Sequence, residues 1–448
     1  MDNTNSTVNF SRQELSERLI KAVSNGNKDT VIKMAEAGAD LNWADESRYI
    51  NMRSIAGAVL GVTALTAACD IPDIEMVKLL IELGADVNAV NIKNQTALYW
   101  TAQSSGPFSK SLEIIKTLLD AGADPNIKTQ NGRTPFTNAV DYGRVSFIDL
   151  FIEYGADVNT RDNRGRTPIY FTLTEPGITD ILIRNGARLD VKDINSQTPL
   201  GYFCGYRFIS KSIIEKLLAA GADPNAPDEN MNTPLYEIAS SLEDFRSVEA
   251  AEILIQYGAD VNARNLYGRL PIHQAARRGN TMTLDLLIKS GSELNIADRD
   301  GMTVLHEATV CGDEACVNSV LNTDIDINAV NGDGDTPLLI AAKHLSIKII
   351  SLIISAGADV NVHDREGMTP LLLVAQRGVL GAIEKLVRSG ADPCATNSSG
   401  NTYLDILEEF HPYKHKKWLE NTVVKARKKN LKREDSTHSH RCTPDFDI

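Results

Sequence analysis

His273 and His306 stand fourth in the runs Leu-Pro-Ile-His and Thr-Val-Leu-His, where an imidazole could ligate a metal or move a proton. Neither has a cysteine or a second histidine at a ligand spacing. Cys311 and Cys316 form a CxxxxC with no histidine nearby at a ligand spacing, so both are expected as small buried side chains. Asn331, Asp333 and Asp335 open like a calcium loop. Thr336 and Ala342 occupy the sixth and twelfth places, where such a loop needs Gly and Glu, so the run is expected at a hairpin tip. The HSHRC segment, His438 to Cys442, could hold a metal only loosely. There is no GxxxxGK[ST], HExxH or GxSxG, and no GxGxxG ahead of a helix. No catalytic residue, metal or cofactor is expected.

The elements that would position any site follow from a repeat. Thr-Pro-like dipeptides recur at Thr63, Thr96, Thr134, Thr167, Thr198, Thr233, Leu270, Thr303, Thr336, Thr369 and Thr402, spaced 33, 38, 33, 31, 35, 37, 33, 33, 33 and 33 residues apart. In Asp364 to Asn397, Thr369 can cap a helix whose first turn holds Pro370. Leu371, Val374 and Ala375 recur at helical spacing, Gly378 interrupts, Ile383, Leu386 and Val387 mark a second helix, and Gly390 stops it. About a dozen turn-forming residues follow, read as an exposed hairpin. Two short helices cannot bury both faces alone, so neighbouring units must supply the core.

The 33-residue period, the runs LPIHQAARRG, TVLHEATVCG and TPLLIAAKH, and GADVN at Gly84, Gly155, Gly258 and Gly357 resemble the ankyrin repeat over about 400 of the 448 residues. The resemblance implies an all-α solenoid of about eleven to twelve helix-turn-helix-hairpin units in a curved stack. It implies that His273 and His306 are structural, bonding backbone near a helix start. It also implies protein partners bound on the concave face and the hairpin tips, in a non-catalytic scaffold or adaptor.

Residues 1–13 are expected to be disordered, 14–410 to form the array with a first and last unit acting as caps, and 411–448 to be a basic cap extension and tail. The stretch near 43–62 is an extended hairpin loop, and the longer turns SSGPFSK, GYRFIS and SLEDFRS are decorations between the helices of their units. The composition, 46 Lys+Arg against 59 Asp+Glu, leaves a net charge of −13 and argues against nucleic acid as the partner. The longest uncharged run, 54–69, is 16 residues and too short to span a bilayer. A cytoplasmic monomer with free thiols is expected; nuclear residence, or export into a host cell by an intracellular bacterium or virus, is the alternative.

Candidate partner-binding residues fall in three sets. Trp100, Phe171 and Tyr202 share the fifth helix position, either as an exposed aromatic surface or as wedges between helices. Asp141, Arg277, Arg278, Lys343 and Arg377 lie seven or eight residues after the threonine-like position, on a face that runs from acidic to basic. Tyr267 and Arg365 sit at hairpin tips, with Asp162 and Asp298 among the charged residues there. In the tail, Lys416, Lys417, Lys428, Lys429 and Lys432 form a two-part basic pattern that suits nuclear import, an acidic partner or a cap helix. Asn88, Asn159, Asn262 and Asn361 resemble asparagines that a hydroxylase modifies in ankyrin hairpins, which makes a modification substrate a further alternative.

Overall fold

The computed structural model describes residues 10–44, 49–52, 57–103, 108–206, 210–241 and 245–414. It divides into two units, 1–203 with 212–223, and 204–211 with 224–448.

In the first unit a leading and a trailing helix alternate: α1 (Arg12–Ser24) and α2 (Lys28–Glu36), α3 (Ala64–Asp70) and α4 (Ile74–Glu82), α5 (Ala97–Gln103) and α6 (Phe108–Asp120), and α7 (Pro135–Asp141) and α8 (Val145–Glu153). A 3-10 helix, Pro168–Thr174, then leads α9 (Pro176–Arg184), and α10 (Pro199–Cys204) leads α11 (Lys211–Ala219). The second unit holds α12 (Pro234–Ala239) and α13 (Phe245–Gln256), α14 (Pro271–Arg278) and α15 (Thr281–Lys289), α16 (Val304–Cys311) and α17 (Glu314–Leu321), α18 (Pro337–His344) and α19 (Ile347–Ser355), and α20 (Pro370–Gln376) and α21 (Leu380–Arg388). It closes on α22 (Tyr403–Phe410).

Threonine side chains start the leading helices as expected: Thr134 accepts from the Thr137 N–H at 3.1 Å and Thr369 from the Leu372 N–H at 3.3 Å. Within each unit, leading helices pack on one another and on their trailing partners. The core is a run of such contacts, with Phe136, Phe147, Phe151, Leu284, Leu287, Ile349 and Ile353 all buried. Each buried side chain of this size contributes about 1.5–3 kcal/mol.

Most connections after a trailing helix share one construction, although Asp190 and Cys394 replace the asparagine after α9 and α21. In Asp157-Val158-Asn159, the Asp157 carboxylate accepts the Asn159 N–H at 2.9 Å, and the Asn159 side chain reaches into the following pair. Its carbonyl oxygen accepts the Arg188 N–H at 2.8 Å and its amide donates to Gly186 O at 2.9 Å. Asn88, Asn126, Asn225, Asn262 and Asn361 repeat both bonds. The hairpin that follows is closed by two backbone bonds, Asp162 N–H to Arg166 O and Gly165 N–H to Asp162 O, both 2.9 Å, and by the Asp162 carboxylate accepting from the N–H groups of Arg164 and Arg166. Successive tips also touch through backbone: Gly332 N–H donates to Asp300 O at 2.7 Å. A Cβ at Gly301, whose φ is +76°, would lie 2.5 Å from Gly332 N, so the approach requires glycine.

Three expectations need correction. Helix α1 begins at Arg12 with Ser11 as its N-cap, and Arg18 stacks 3.6 Å above the Phe10 ring, so residues 10–13 belong to the first cap. The extended hairpin expected near 43–62 is present as a paired hairpin, in which β1 (Tyr49–Met52) and β2 (Gly57–Leu60) run antiparallel with Tyr49 opposite Leu60. The inserts within SSGPFSK and SLEDFRS do not remain turns throughout, because α6 and α13 start at Phe108 and Phe245 and grow to 13 and 12 residues. The 3-10 helix at Pro168–Thr174 occurs where the spacing is shortest at 31 residues; two residues fewer leave Pro176 to start α9 directly.

Candidate partner-binding surface

The candidate residues lie along the leading helices and at the hairpin tips. Most polar residues near it serve the fold. His273 accepts the Leu270 N–H on Nδ1 at 3.2 Å and its Nε2 lies 3.0 Å from Ile296 O. His306 does the same between the Thr303 N–H at 3.1 Å and Asp335 O at 3.1 Å. The contacts fix the neutral tautomer with the proton on Nε2. Burial pushes the His273 imidazole down to about 4 and lowers that of His306. In the unit starting at Thr167, Tyr170 takes this place and donates to the carbonyl oxygens of Val191 and Gln197, both at 2.6 Å. In the sequence, the one signal for Tyr170 is its position three residues after Thr167.

Trp100 and Phe171 are 6% exposed and pack as wedges, so they are not a presented aromatic surface. Phe171 lies under two guanidinium groups, Arg133 at 4.3 Å and Arg166 at 4.6 Å from its ring centroid. Tyr202 is half-buried and meets Tyr170 edge-on at 5.5 Å. The fifth position faces the neighbouring helix more than solvent.

The charged candidates divide by pairing. Asp141 binds Arg133 at 2.6 Å, and Lys343 bridges Asp335 at 2.6 Å and Asp364 at 3.3 Å. Arg277 lies 3.9 Å from Glu307, which is 3% exposed and also 3.5 Å from Arg269. Burial raises the Glu307 carboxyl above its ordinary value, while the two arginines oppose that rise. Arg278 and Arg377 are exposed and unpaired among the described residues.

At the tips, Tyr267 is 55% exposed, beside exposed Leu266 and close to Met231 through the Leu266 N–H to Asn230 O bond at 2.9 Å. Arg365 is folded back, its guanidinium on Gly332 O and its stem over Gly334. Asp162 and Asp298, expected among the charged tips, are buried in their turns, where Asp298 accepts from Arg269 at 2.8 Å. Cys316 is buried as expected, but Cys311 is exposed, because it ends α16 on the solvent side. Asn88, Asn159, Asn262 and Asn361 all commit both ends of their amides to the inter-repeat ladder.

His411 and Lys414 meet Gln376 O and Gly378 O, each at 3.1 Å, so the start of the cap extension is seated on the end of α20. Lys416, Lys417, Lys428, Lys429 and Lys432 lie outside the described residues, as does the segment His438 to Cys442. Among the described residues no group of three or more His, Cys, Asp or Glu is arranged to hold a metal, and no helix is long and apolar enough to cross a membrane.

The family described as "Ankyrin repeats (3 copies)" matches residues 19–129, 108–193, 174–265, 263–331 and 324–397. The chain belongs to the ankyrin repeat family. It is 31% identical over 253 residues to SH3 and multiple ankyrin repeat domains protein 2 of Homo sapiens, covering 56% of this chain and 11% of that protein. It is 30% identical over 141 residues to ankyrin repeat and KH domain-containing protein mask-1 of Caenorhabditis elegans, covering 32% and 5%. A putative ankyrin repeat protein of Rickettsia felis shares 40% identity over 72 residues, 15% of this chain and 31% of that protein. The chain thus spans less than a third of these relatives' own lengths. Among solved structures, the human ASB11 ankyrin repeat domain matches at 22% identity and a TM-score of 0.42, covering 49% of this chain and 98% of that one.

Proposed function

We propose that this ankyrin repeat chain is a non-catalytic scaffold that holds a partner protein against the last turns of its leading helices and its hairpin tips. Ankyrin repeats generally mediate protein–protein interaction. The observation that carries the reading is the contrast between committed and uncommitted side chains. His273, Asn159, Asp162 and Phe171 are engaged in internal contacts, whereas Tyr142, Tyr267, Arg278 and Arg377 are exposed at helix ends and tips. Exposed aromatic and arginine residues on a rigid support are the side chains on which binding energy concentrates. The partner would be held by surface complementarity with no chemical step.

The test is capture of partners by proximity labelling in the native cell, followed by binding of the purified pair. Alanine at Tyr267, Arg278 and Arg377 together, all in the second unit, should weaken binding at least tenfold while leaving the circular dichroism spectrum unchanged. Full-strength binding by that variant would rule out these positions as the surface.

A further inference from the structure

The C-terminal turns of α14, α16, α18 and α20 carry, in order, Arg277-Arg278, Val310-Cys311, Lys343-His344 and Gln376-Arg377. Arg278, His344 and Arg377 are exposed, and their side chains have no hydrogen-bond or ion-pair partner among the described residues. Four carboxylates of the same and following turns are already engaged. Glu307 faces Arg269 and Arg277, Asp335 and Asp364 hold Lys343, and the Asp313 carboxylate caps α17 through the Cys316 N–H at 2.8 Å. Val310, 40% exposed, lies between the first cation and the other two. The strip is bounded at its start, where α12 is followed by Ser240-Ser241, and at its end His411 and Lys414 sit on the end of α20 beside exposed Glu408 and Glu409 of α22. The negative end of a helix favours a cation in its last turn. That preference alone does not select these residues, because α3 and α7 end in Asp70 and Asp141.

We infer that these four helix ends form a docking strip for an extended acidic segment of a partner protein, with an apolar side chain placed between its acids. The inference rests on the protein-binding reading above and narrows it to one partner chemistry. Packed helices lie about 10 Å apart, so Arg278 and His344 are separated by roughly 20 Å and Arg377 lies about 10 Å further on. An extended chain advances about 3.3 Å per residue. The acids that match are therefore about six and then three residues apart, with the apolar residue about three after the first, over Val310. A nucleic acid is the poorer fit. Its continuous phosphates would also pass the carboxylates of Asp335 and Asp364 and meet Glu408 and Glu409 at the end of the strip.

Fluorescence anisotropy with the full chain tests this. The probes are labelled Ser/Thr peptides of about twelve residues bearing three Glu and one Leu at that spacing, in both chain directions, with counterparts in which Gln or Lys replaces Glu. The better Glu peptide should bind at least tenfold tighter than its Gln counterpart, and more weakly as salt rises. Arg278→Glu with Arg377→Glu should lose about tenfold for the Glu peptide and gain affinity for the Lys peptide; that gain also reports a folded chain. Equal affinity for the Glu and Gln peptides, unchanged binding by the double variant, or tighter binding of a poly-dT strand would overturn the strip. If cellular partners identified by labelling still bind the double variant at full strength, the strip fails and the scaffold reading survives. If the wild-type chain binds none of its labelled neighbours directly, the scaffold reading itself fails.

Discussion

The imidazole of His306 joins its own helix start to the next hairpin, accepting the Thr303 N–H on Nδ1 and meeting the carbonyl oxygen of Asp335 with Nε2 at 3.1 Å. His273 makes the same connection to Ile296. A proton added to Nδ1 would face an N–H donor, so the fold needs both rings neutral.

This arrangement predicts an acid-sensitive second unit. The folded pKa of His273 is pushed down to about 4, below the unfolded value of about 6.5. The unfolded chain therefore binds the proton first, and the contribution of His273 is complete above pH 6.5 and lost as pH falls toward 4. The loss is roughly 3 kcal/mol at most. Thermal melts of wild type and His273→Gln should differ most at neutral pH and converge near pH 4. A difference that stays constant over this range would exclude the mechanism.

Asn159→Ala removes one donor and one acceptor between consecutive helix pairs. Each such bond is worth about 1 kcal/mol, and the Arg188 N–H and Gly186 O are left near water, so a loss of about 1–2 kcal/mol is expected in urea unfolding. Asn159→Asp keeps the acceptor and should recover part of the loss.

Truncating Phe171 to Ala removes a buried ring and the platform for Arg133 and Arg166. The expected cost is about 3–4 kcal/mol. Exposed Tyr142 and Tyr267, changed to Ala, should stay within about 0.5 kcal/mol. Parallel denaturant titrations would read the difference, and comparable losses at all three positions would contradict the burial assignment.

Gly301→Ala places a methyl group 2.5 Å from Gly332 N at a left-handed φ. Hydrogen exchange of the Gly332 amide, which donates to Asp300 O, should accelerate, with an overall loss of about 1–3 kcal/mol. Gly400→Ala, with a similar φ of +79° but open space around it, separates the conformational cost from the clash and should leave that amide protected.

The sequence by itself determined the repeat, the threonine caps and the division of each unit into two helices. Those rest on contacts within about four residues, and a 33-residue period prints them many times over. It also placed His273 and His306 in structural roles through the family resemblance. Tertiary structure alone decided which face of each residue is spent. Trp100 and Phe171 hold the same helix position that Glu307 holds elsewhere, and their burial depends on the neighbouring helix. Asp298 reads as a tip charge, but its carboxylate accepts from Arg269, 29 residues away. The Asn159 side chain bonds to residues 27 and 29 positions away, which no local pattern reveals. Pattern records local preference, whereas exposure and pairing are set by residues a full repeat distant.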